Sequence, residues 1–270
     1  MYADLHIHSC YSDGMLTPAE IIRICEECKI KTIAITDHDS ISSIKETIQL
    51  AQDKIDVVPA VEMSSNLGDL DIHILGYYID YKNADLIDYF ENYRQHRLER
   101  AEKIVEKLSR AGVKLDFARI KGIGNDVALG RPHIAGALLA NGYVNSIGEA
   151  FIRFLGYHSA YYVPKKSIHT EEAIKKIKEW KGIPVVAHPG IINSEEVIHQ
   201  LISYGVYGLE VWHPEHNKRA QDNFFEMAMK NGLLMTGGSD FHGFRNKFGL
   251  IGKIGCGHKE VLRLKRMKVE

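Results

Sequence analysis

Near the start of the chain stands Asp4-Leu5-His6-Ile7-His8-Ser9. In a strand, side chains two residues apart share a face, so His6 and His8 project together. Two imidazoles on one face are a ready pair of metal ligands. Groups of the same chemistry recur along the other β-rich runs: Thr36-Asp37-His38-Asp39, Glu62, His73, His188 in Val186-Ala187-His188-Pro189-Gly190, Glu210 with Trp212 and His213, and Ser239-Asp240-Phe241-His242. Asp13, in Tyr11-Ser12-Asp13-Gly14, lies just beyond the first run. Taken singly, a histidine at a strand end is an ordinary hydrogen-bonded rim residue. Asp37 reads as a cap for the following helix, and Glu210 as a residue that orients its neighbours. Taken together, His6, His8, Asp13, His38, Glu62, His73, His188, Asp240 and His242 are too many ligands for one ion and suit a cluster of two or three. None is a thiolate, which favours Mn, Fe or Zn over Cu(I) or an iron–sulfur cluster.

These residues need strands to carry them. β-rich runs fall at Ala3–His8, Thr32–Thr36, Val57–Val61, Ile72–Tyr78, Pro184–Ala187, Gly208–Val211 and Leu233–Thr236. Amphipathic helical patterns lie between several of them. Thr17-Pro18-Ala19-Glu20 has the form of a capping box with proline at the first helical position. The helix it opens carries Cys25 and Cys28, read as two core residues on one face. Further helices are expected after Ser40 and over Thr170–Lys181, Ser194–Tyr204 and Asn217–Asn231. Strand–helix alternation predicts an α/β fold with a parallel sheet, open or closed into a barrel. In such folds the carboxyl ends of the strands gather on one face, where active sites sit.

Residues 83–166 break the rhythm. A long helical pattern runs from Leu86 through Leu108 to Gly112, and a second starts near Pro132, with no strong strand signal between them. This stretch reads as a helical insertion into a domain made of 1–82 and 167–270. From Arg94 to Arg131 there are 10 Lys/Arg against 5 Asp/Glu. That excess fits either a solvated helix face or a positive lid over an anionic substrate. Gly130-Arg131-Pro132-His133 sits at a helix start, and a helix N-terminus beside an arginine is a ready phosphate site.

Composition sets the outer bounds. With 34 Lys/Arg against 35 Asp/Glu, the formal charge of −1 gives no bulk attraction for duplex nucleic acid. Hydrophobic residues make up 45% of the 270, enough for a sizeable core. No apolar run nears the roughly 18 residues of a membrane span, and the first residues lack the basic and apolar regions of a signal peptide. A cytoplasmic protein is expected. Four cysteines are too few for a disulfide scaffold. No obligate protein partner is readable.

Four motifs in this order (Asp4-Leu5-His6-Ile7-His8-Ser9 with Asp13-Gly14, Thr36-Asp37-His38-Asp39, Val186-Ala187-His188-Pro189, and Gly238-Ser239-Asp240-Phe241-His242) resemble the PHP (polymerase and histidinol phosphatase) family of metal-dependent phosphoesterases. The resemblance covers essentially the whole chain. It implies a distorted (β/α)7 barrel with the helical insertion, and three divalent ions. His6, His8, Glu62 and Asp240 would hold one, and Asp13, His38 and His242 a second. Glu62, His73 and His188 would hold the third, with Glu62 bridging. Such ions make a bound water acidic and clamp phosphoryl oxygens. The insertion and its Gly-Arg-Pro-His segment resemble a bacterial subgroup that removes phosphate from nucleoside 3′,5′-bisphosphates or degrades 5′-phosphorylated RNA in the 5′→3′ direction. On that reading the partner is a nucleotide or short single-stranded RNA. Arg131 and His133 would grip a phosphate, helped by Lys165 and Lys166, and His213 would protonate the leaving group or contact phosphate. Tyr157, Tyr161 and Tyr162 would stack a base or simply pack. The competing readings are an L-histidinol-phosphate phosphatase, an amidohydrolase-type C–N hydrolase and a non-catalytic metal-binding accessory module.

Overall fold

The structure, a computed structural model, describes residues 2–122, 127–243 and 250–268. Strands β1 (Ala3–Ile7), β2 (Thr32–Ile35) and β3 (Asp56–Val57) form a parallel sheet in that order. Six further strands follow: β4 (Ala60–Leu67), β5 (Leu70–Tyr77), β6 (Ile168–His169), β7 (Ile183–Val186), β8 (Gly208–Trp212) and β9 (Leu234–Gly237). They order as β6-β4-β5-β7-β8-β9 in a second sheet. Two single-residue bridges link the sheets, Ile7 to Phe241 and His38 to Glu62.

The expected run Val57–Val61 is two strands. Pro59, which has no N–H to give a ladder, separates them. The sheet is also mixed where a parallel one was expected. β4 and β5 pair antiparallel, as do β5 and β7. The turn of the β4–β5 hairpin is Gly68-Asp69, with Leu67 opposite Leu70 and Gly68 at φ +60°. Two-residue hairpin turns call for that positive φ, which glycine adopts without strain.

The helices are α1 (Pro18–Glu27), α2 (Ser42–Ala51), α3 (Ala84–Arg110), α4 (Phe117–Lys121), α5 (Arg131–Ala140) and α6 (Ile147–Ala150), which runs on into a wider turn over Phe151–Leu155. Next come α7 (Thr170–Glu179), α8 (Pro189–Ile192), α9 (Glu195–Ser203), α10 (Lys218–Lys230) and α11 (His258–Arg266). The capping box forms as read: Thr17 N donates to Glu20 Oε2 at 2.8 Å, and Thr17 Oγ1 accepts from Glu20 N at 3.4 Å. Cys25 is buried, but Cys28 lies at the helix end and is exposed, so only one of the pair is core. Among the described residues no helix is long and apolar enough to cross a membrane.

Packing ties these elements into several cores. Ile7, Ile21, Ile33 and Ile35 cluster between β1, β2 and α1. Leu5, Leu75, Tyr77 and Val185 fill the space between the sheets. Val61, Ile74, Ile177, Leu209 and Met235 pack β4, β5, β8 and β9 against α7. Helix α3 belongs to two cores. Its Leu86 and Phe90 pack with this last group, whereas Ala101, Ile104 and Leu108 join Ile134, Leu138 and Phe154 in a core made within 83–166. At 1.5 Å per residue, α3 spans about 40 Å and so anchors one core to the other.

Candidate metal centre and active site

His6 and His8 leave β1 on one face, as strand periodicity requires, and both are fully buried. Their Nε2 atoms lie 3.2 Å apart. Glu62 Oε2 is 3.3 Å from His6 Nε2 and 3.2 Å from His8 Nε2. Asp240 Oδ1 is 3.4 and 3.2 Å from the same two atoms. Donors spaced like this match the edges, about 3.3 Å, of a tetrahedron with metal–ligand bonds of about 2.0–2.1 Å.

Other donors surround this group. Asp13 Oδ1 lies 3.2 Å from His242 Nε2, and His8, Asp13, His38 and His242 bring ligand atoms within 4.8 Å of one another. Glu62 faces two ways. Its Oε2 meets His38 Nδ1 at 3.0 Å, while Oε1 meets His73 Nδ1 at 3.0 Å and His188 Nε2 at 2.9 Å. Both Glu62 oxygens therefore face imidazole nitrogens from different strands.

The donor set fits divalent cations on physical grounds. Among the described residues, His8 Nδ1, Asp13 Oδ1, His38 Nδ1 and Glu62 Oε2 are buried and close to one another or to other ring nitrogens but make no aligned hydrogen bond, and buried polar atoms of this kind need a partner. Burial pushes His38 down to about 3, leaving a neutral ring able to ligate. Burial raises Glu62 and Asp240, but the surrounding histidines outweigh it and hold both well below the usual carboxylate range. Burial likewise lowers His6, yet Glu210, Glu62 and Asp240 pull it well above its ordinary value. Three buried carboxylates thus demand positive charge among these rings.

The supporting shell holds the ligands in register. Glu210 Oε1 bonds His6 Nδ1 at 2.9 Å and turns Nε2 toward the cluster, while its Oε2 accepts from His188 N at 2.7 Å. Orientation of this type tunes a metal ligand. Gly238 lies directly on His6: a Cβ there would come within 2.3 Å of His6 N. Asp39, His188 and Asp240 all sit at positive φ (50°, 29° and 47°), a backbone cost that the surroundings must over-determine.

A cavity of about 410 Å³ opens over these ligands, within the usual range of small-ligand sites. Asp13, His38, His73, His188, Asp240 and His242 form its floor, and Arg97, Arg100, Arg131 and Lys165 line its wall. Two of the four cations are neutralised. Arg97 pairs with the buried Asp39, which also accepts from Ser64 N at 2.7 Å. Lys165 pairs with Asp71. Among the described residues, Arg100 and Arg131 have carbonyl and aromatic partners and no carboxylate: Val163 O at 2.8 Å and the Tyr162 ring for Arg100, Leu155 O at 3.1 Å and the Tyr157 ring at 4.6 Å for Arg131. Burial and the neighbouring Arg131 and Arg97 depress Arg100 to about 10, so an anion there relieves a standing repulsion.

The structure therefore brings the nine sequence-predicted ligands together and sets Arg131 and Lys165 above them. Two other residues, His133 and Lys166, lie elsewhere, and His213 lies beside the ligands but outside the cavity lining. His133 Nδ1 accepts from Gly130 N at 3.0 Å, closing the first turn of α5. Lys166 reaches His96 at 2.9 Å, away from the cavity. His213 is buried, does not line the cavity, and faces Asp240 Oδ2 at 3.3 Å. With His6 and Asp240 it forms a further group of ligand atoms. Asp37 does not cap α2. Its carboxylate accepts from Ser9 N at 2.8 Å and from the Ser9 and Ser12 hydroxyls at 2.7 Å, fixing the loop that carries Asp13. Asp71, Arg97 and Arg100 escaped the sequence reading. Asp71 is two residues before His73 on the same strand face, a spacing that could have found it.

Residues 4–183 match the PHP domain family. The chain belongs to that family. Among relatives of this PHP protein, the 5′-3′ exoribonuclease Rnm of Escherichia coli is 29% identical over 88% of this chain and 84% of its own. The 3′,5′-nucleoside bisphosphate phosphatase of Chromobacterium violaceum is 31% identical over 88% and 86%. A crystal structure of a candidate metal-dependent phosphoesterase from Bifidobacterium adolescentis superposes with a TM-score of 0.91 at 29% identity, covering 100% of this chain and 97% of that one. PHP membership and the clustered His, Asp and Glu donors make this a divalent-metal-dependent hydrolase of phosphate esters.

Proposed function

We propose that this PHP protein hydrolyses phosphate esters of nucleotides, either a phosphomonoester of a nucleoside 3′,5′-bisphosphate or the phosphodiester bonds of short 5′-phosphorylated RNA. The observation that carries the reading is the pairing of a metal-ligand floor with a wall on which Arg100 and Arg131 have no carboxylate partner among the described residues. One phosphate would be cleaved at the floor while a second is held by the two arginines. Both relatives named above act, by name, on nucleotide substrates.

On this reading His6, His8, Glu62 and Asp240 hold one ion, Asp13, His38 and His242 another, and Glu62, His73 and His188 a third. Mn, Fe or Zn suits such ligands. When bound, these ions supply a nucleophilic water at neutral pH and Lewis-acid stabilisation of the phosphoryl oxygens. The chain does the rest. Glu210 and Asp37 fix the ligand strand and loop, Arg100 and Arg131 bind the uncleaved phosphate, and the helices of 83–166 cover the cavity as a lid. The two inter-sheet bridges support a distorted barrel as the frame.

The arginine wall also weighs against histidinol phosphate, whose ammonium would face like charge. Phosphate release from adenosine 3′,5′-bisphosphate, mononucleotide release from a 5′-phosphorylated oligoribonucleotide and phosphate release from L-histidinol phosphate, each with and without chelator, test the proposal. Chelator-sensitive turnover of the first or second is expected. Turnover of histidinol phosphate alone, or of none, would overturn it.

A further inference from the structure

Beside the catalytic cavity lies a second recess of about 240 Å³. Asp71, Tyr157, Ile191 and Ile192 line both spaces, so the two are continuous. The recess gathers large apolar side chains that the fold leaves uncovered: Leu70 is 41% exposed, Tyr157 53% and Ile191 58%. They come from three separate elements, the β4–β5 hairpin, the loop after α6 and helix α8. Scattered exposed residues are ordinary, but a cluster at the mouth of a ligand cavity asks for an apolar ligand. Tyr157 is also fixed before any ligand arrives. Its hydroxyl donates to Asp71 Oδ2 at 2.9 Å, and the Arg131 guanidinium lies 4.6 Å from its ring centroid. A ring already held loses little freedom on binding.

We propose that this recess is a nucleobase subsite, in which the base stacks on Tyr157 and lies against Leu70 and Ile191 while the phosphate occupies the cavity beside Arg131. The inference rests on the nucleotide reading of the site and adds where the base goes. Arg131 lies against the Tyr157 ring, and the recess beside it combines Leu70, Ile191 and Ile192 with the carboxylates of Asp69 and Asp71, apolar surface for a base face and acceptors for the N–H groups of a base edge. Stacking is tolerant of base identity because every base has a π-face. The subsite therefore selects for a base, not for one base.

Equilibrium binding of adenosine 5′-monophosphate and of ribose 5-phosphate to the Mn²⁺-loaded protein tests this, since the two differ only by the base. The wild type is expected to bind the nucleotide at least about tenfold more tightly, equivalent to about 1.4 kcal/mol. Tyr157→Ala and Ile191→Ser, both at exposed positions, are each expected to shrink that ratio to about threefold or less. Equal binding of the two ligands by the wild type, or a ratio unchanged in both variants, would overturn the subsite. A base preference that these variants abolish, in a protein that does not hydrolyse the bisphosphate, would support the subsite and refute the proposed reaction.

Discussion

The pair between Asp39 and Arg97 joins the strand ends to α3, and hence to the 83–166 core. Its contribution can be worked out from the structure. Asp39 is 2% exposed and the Arg97 side chain 16%. One carboxylate oxygen is satisfied by Ser64 N; the other, among the described residues, has only Arg97. Arg97→Met keeps the aliphatic stem and strands that oxygen. Breaking a buried pair costs about 3–5 kcal/mol. The lower end applies, because Arg97 borders the cavity and water can reach the gap. Asp39→Asn is the cleaner partner change. Asparagine tolerates the positive φ of 50° at this position, so no backbone strain is added. It too should cost about 3 kcal/mol, by leaving the guanidinium uncompensated.

The double variant removes both charges and should lose far less than the two singles combined. A coupling of at least about 2 kcal/mol is expected. Urea denaturation in the presence of Mn²⁺ reads this directly. With a slope of about 3 kcal/mol per M, each single variant should move the midpoint down by about 1 M. Additive losses, or single shifts below about 0.3 M, would show that the pair is not a strut between the two cores.

Other expectations concern the site itself. Asp240→Ala and His38→Ala should each abolish metal-dependent phosphate release; near-normal turnover in either would remove that residue from the ligand set. Glu210→Gln should lower metal affinity or activity about 10–100-fold by freeing the His6 ring, measurable by titrating apo-protein with Mn²⁺. Chelation should lower the melting temperature and Mn²⁺ should restore it, since an ion at 100 times its Kd contributes about 2.7 kcal/mol; an unshifted transition would mean that the buried carboxylates have another counter-charge. Arg100→Ala should reduce kcat/KM for adenosine 3′,5′-bisphosphate by an amount on the order of 2–5 kcal/mol, and equal kcat/KM would place the second phosphate elsewhere.

The metal ligands were legible because their pattern is short-range. His6 and His8 share a strand face by periodicity alone, and His38, His188 and Asp240 stand just past strand ends, where a parallel α/β layout collects side chains. The β4–β5 hairpin was missed: β4 beyond Glu62 carries Ser64, Ser65 and Asn66, whose low apolar content hid the strand. Long-range partners were not legible. Asp37 has the type and place of a helix cap, and only the approach of Ser9 and Ser12 from another strand's loop decides otherwise. Arg97 lies in a run of charge that looks solvated. Nothing local marks it as the one that turns inward to Asp39, 58 residues earlier.

A formal charge of −1 for the whole chain says little about what the site attracts. The floor concentrates buried carboxylates, which draw cations. The wall concentrates guanidinium groups, which draw anions, and Asp39 and Asp71 cancel two of the four charges there. Those cancellations narrow the binding locus. With Arg97 and Lys165 already paired, the attraction for a phosphate that the floor does not hold is concentrated at Arg100 and Arg131. Arg131 also lies against Tyr157, which lines the neighbouring recess with Leu70, Ile191 and Ile192. On the proposed reading, a ligand that meets the floor, the two arginines and the recess at once carries two phosphates and a flat apolar group. A nucleoside bisphosphate or the phosphorylated end of an RNA has all three, and histidinol phosphate has neither the second phosphate nor a tolerable charge.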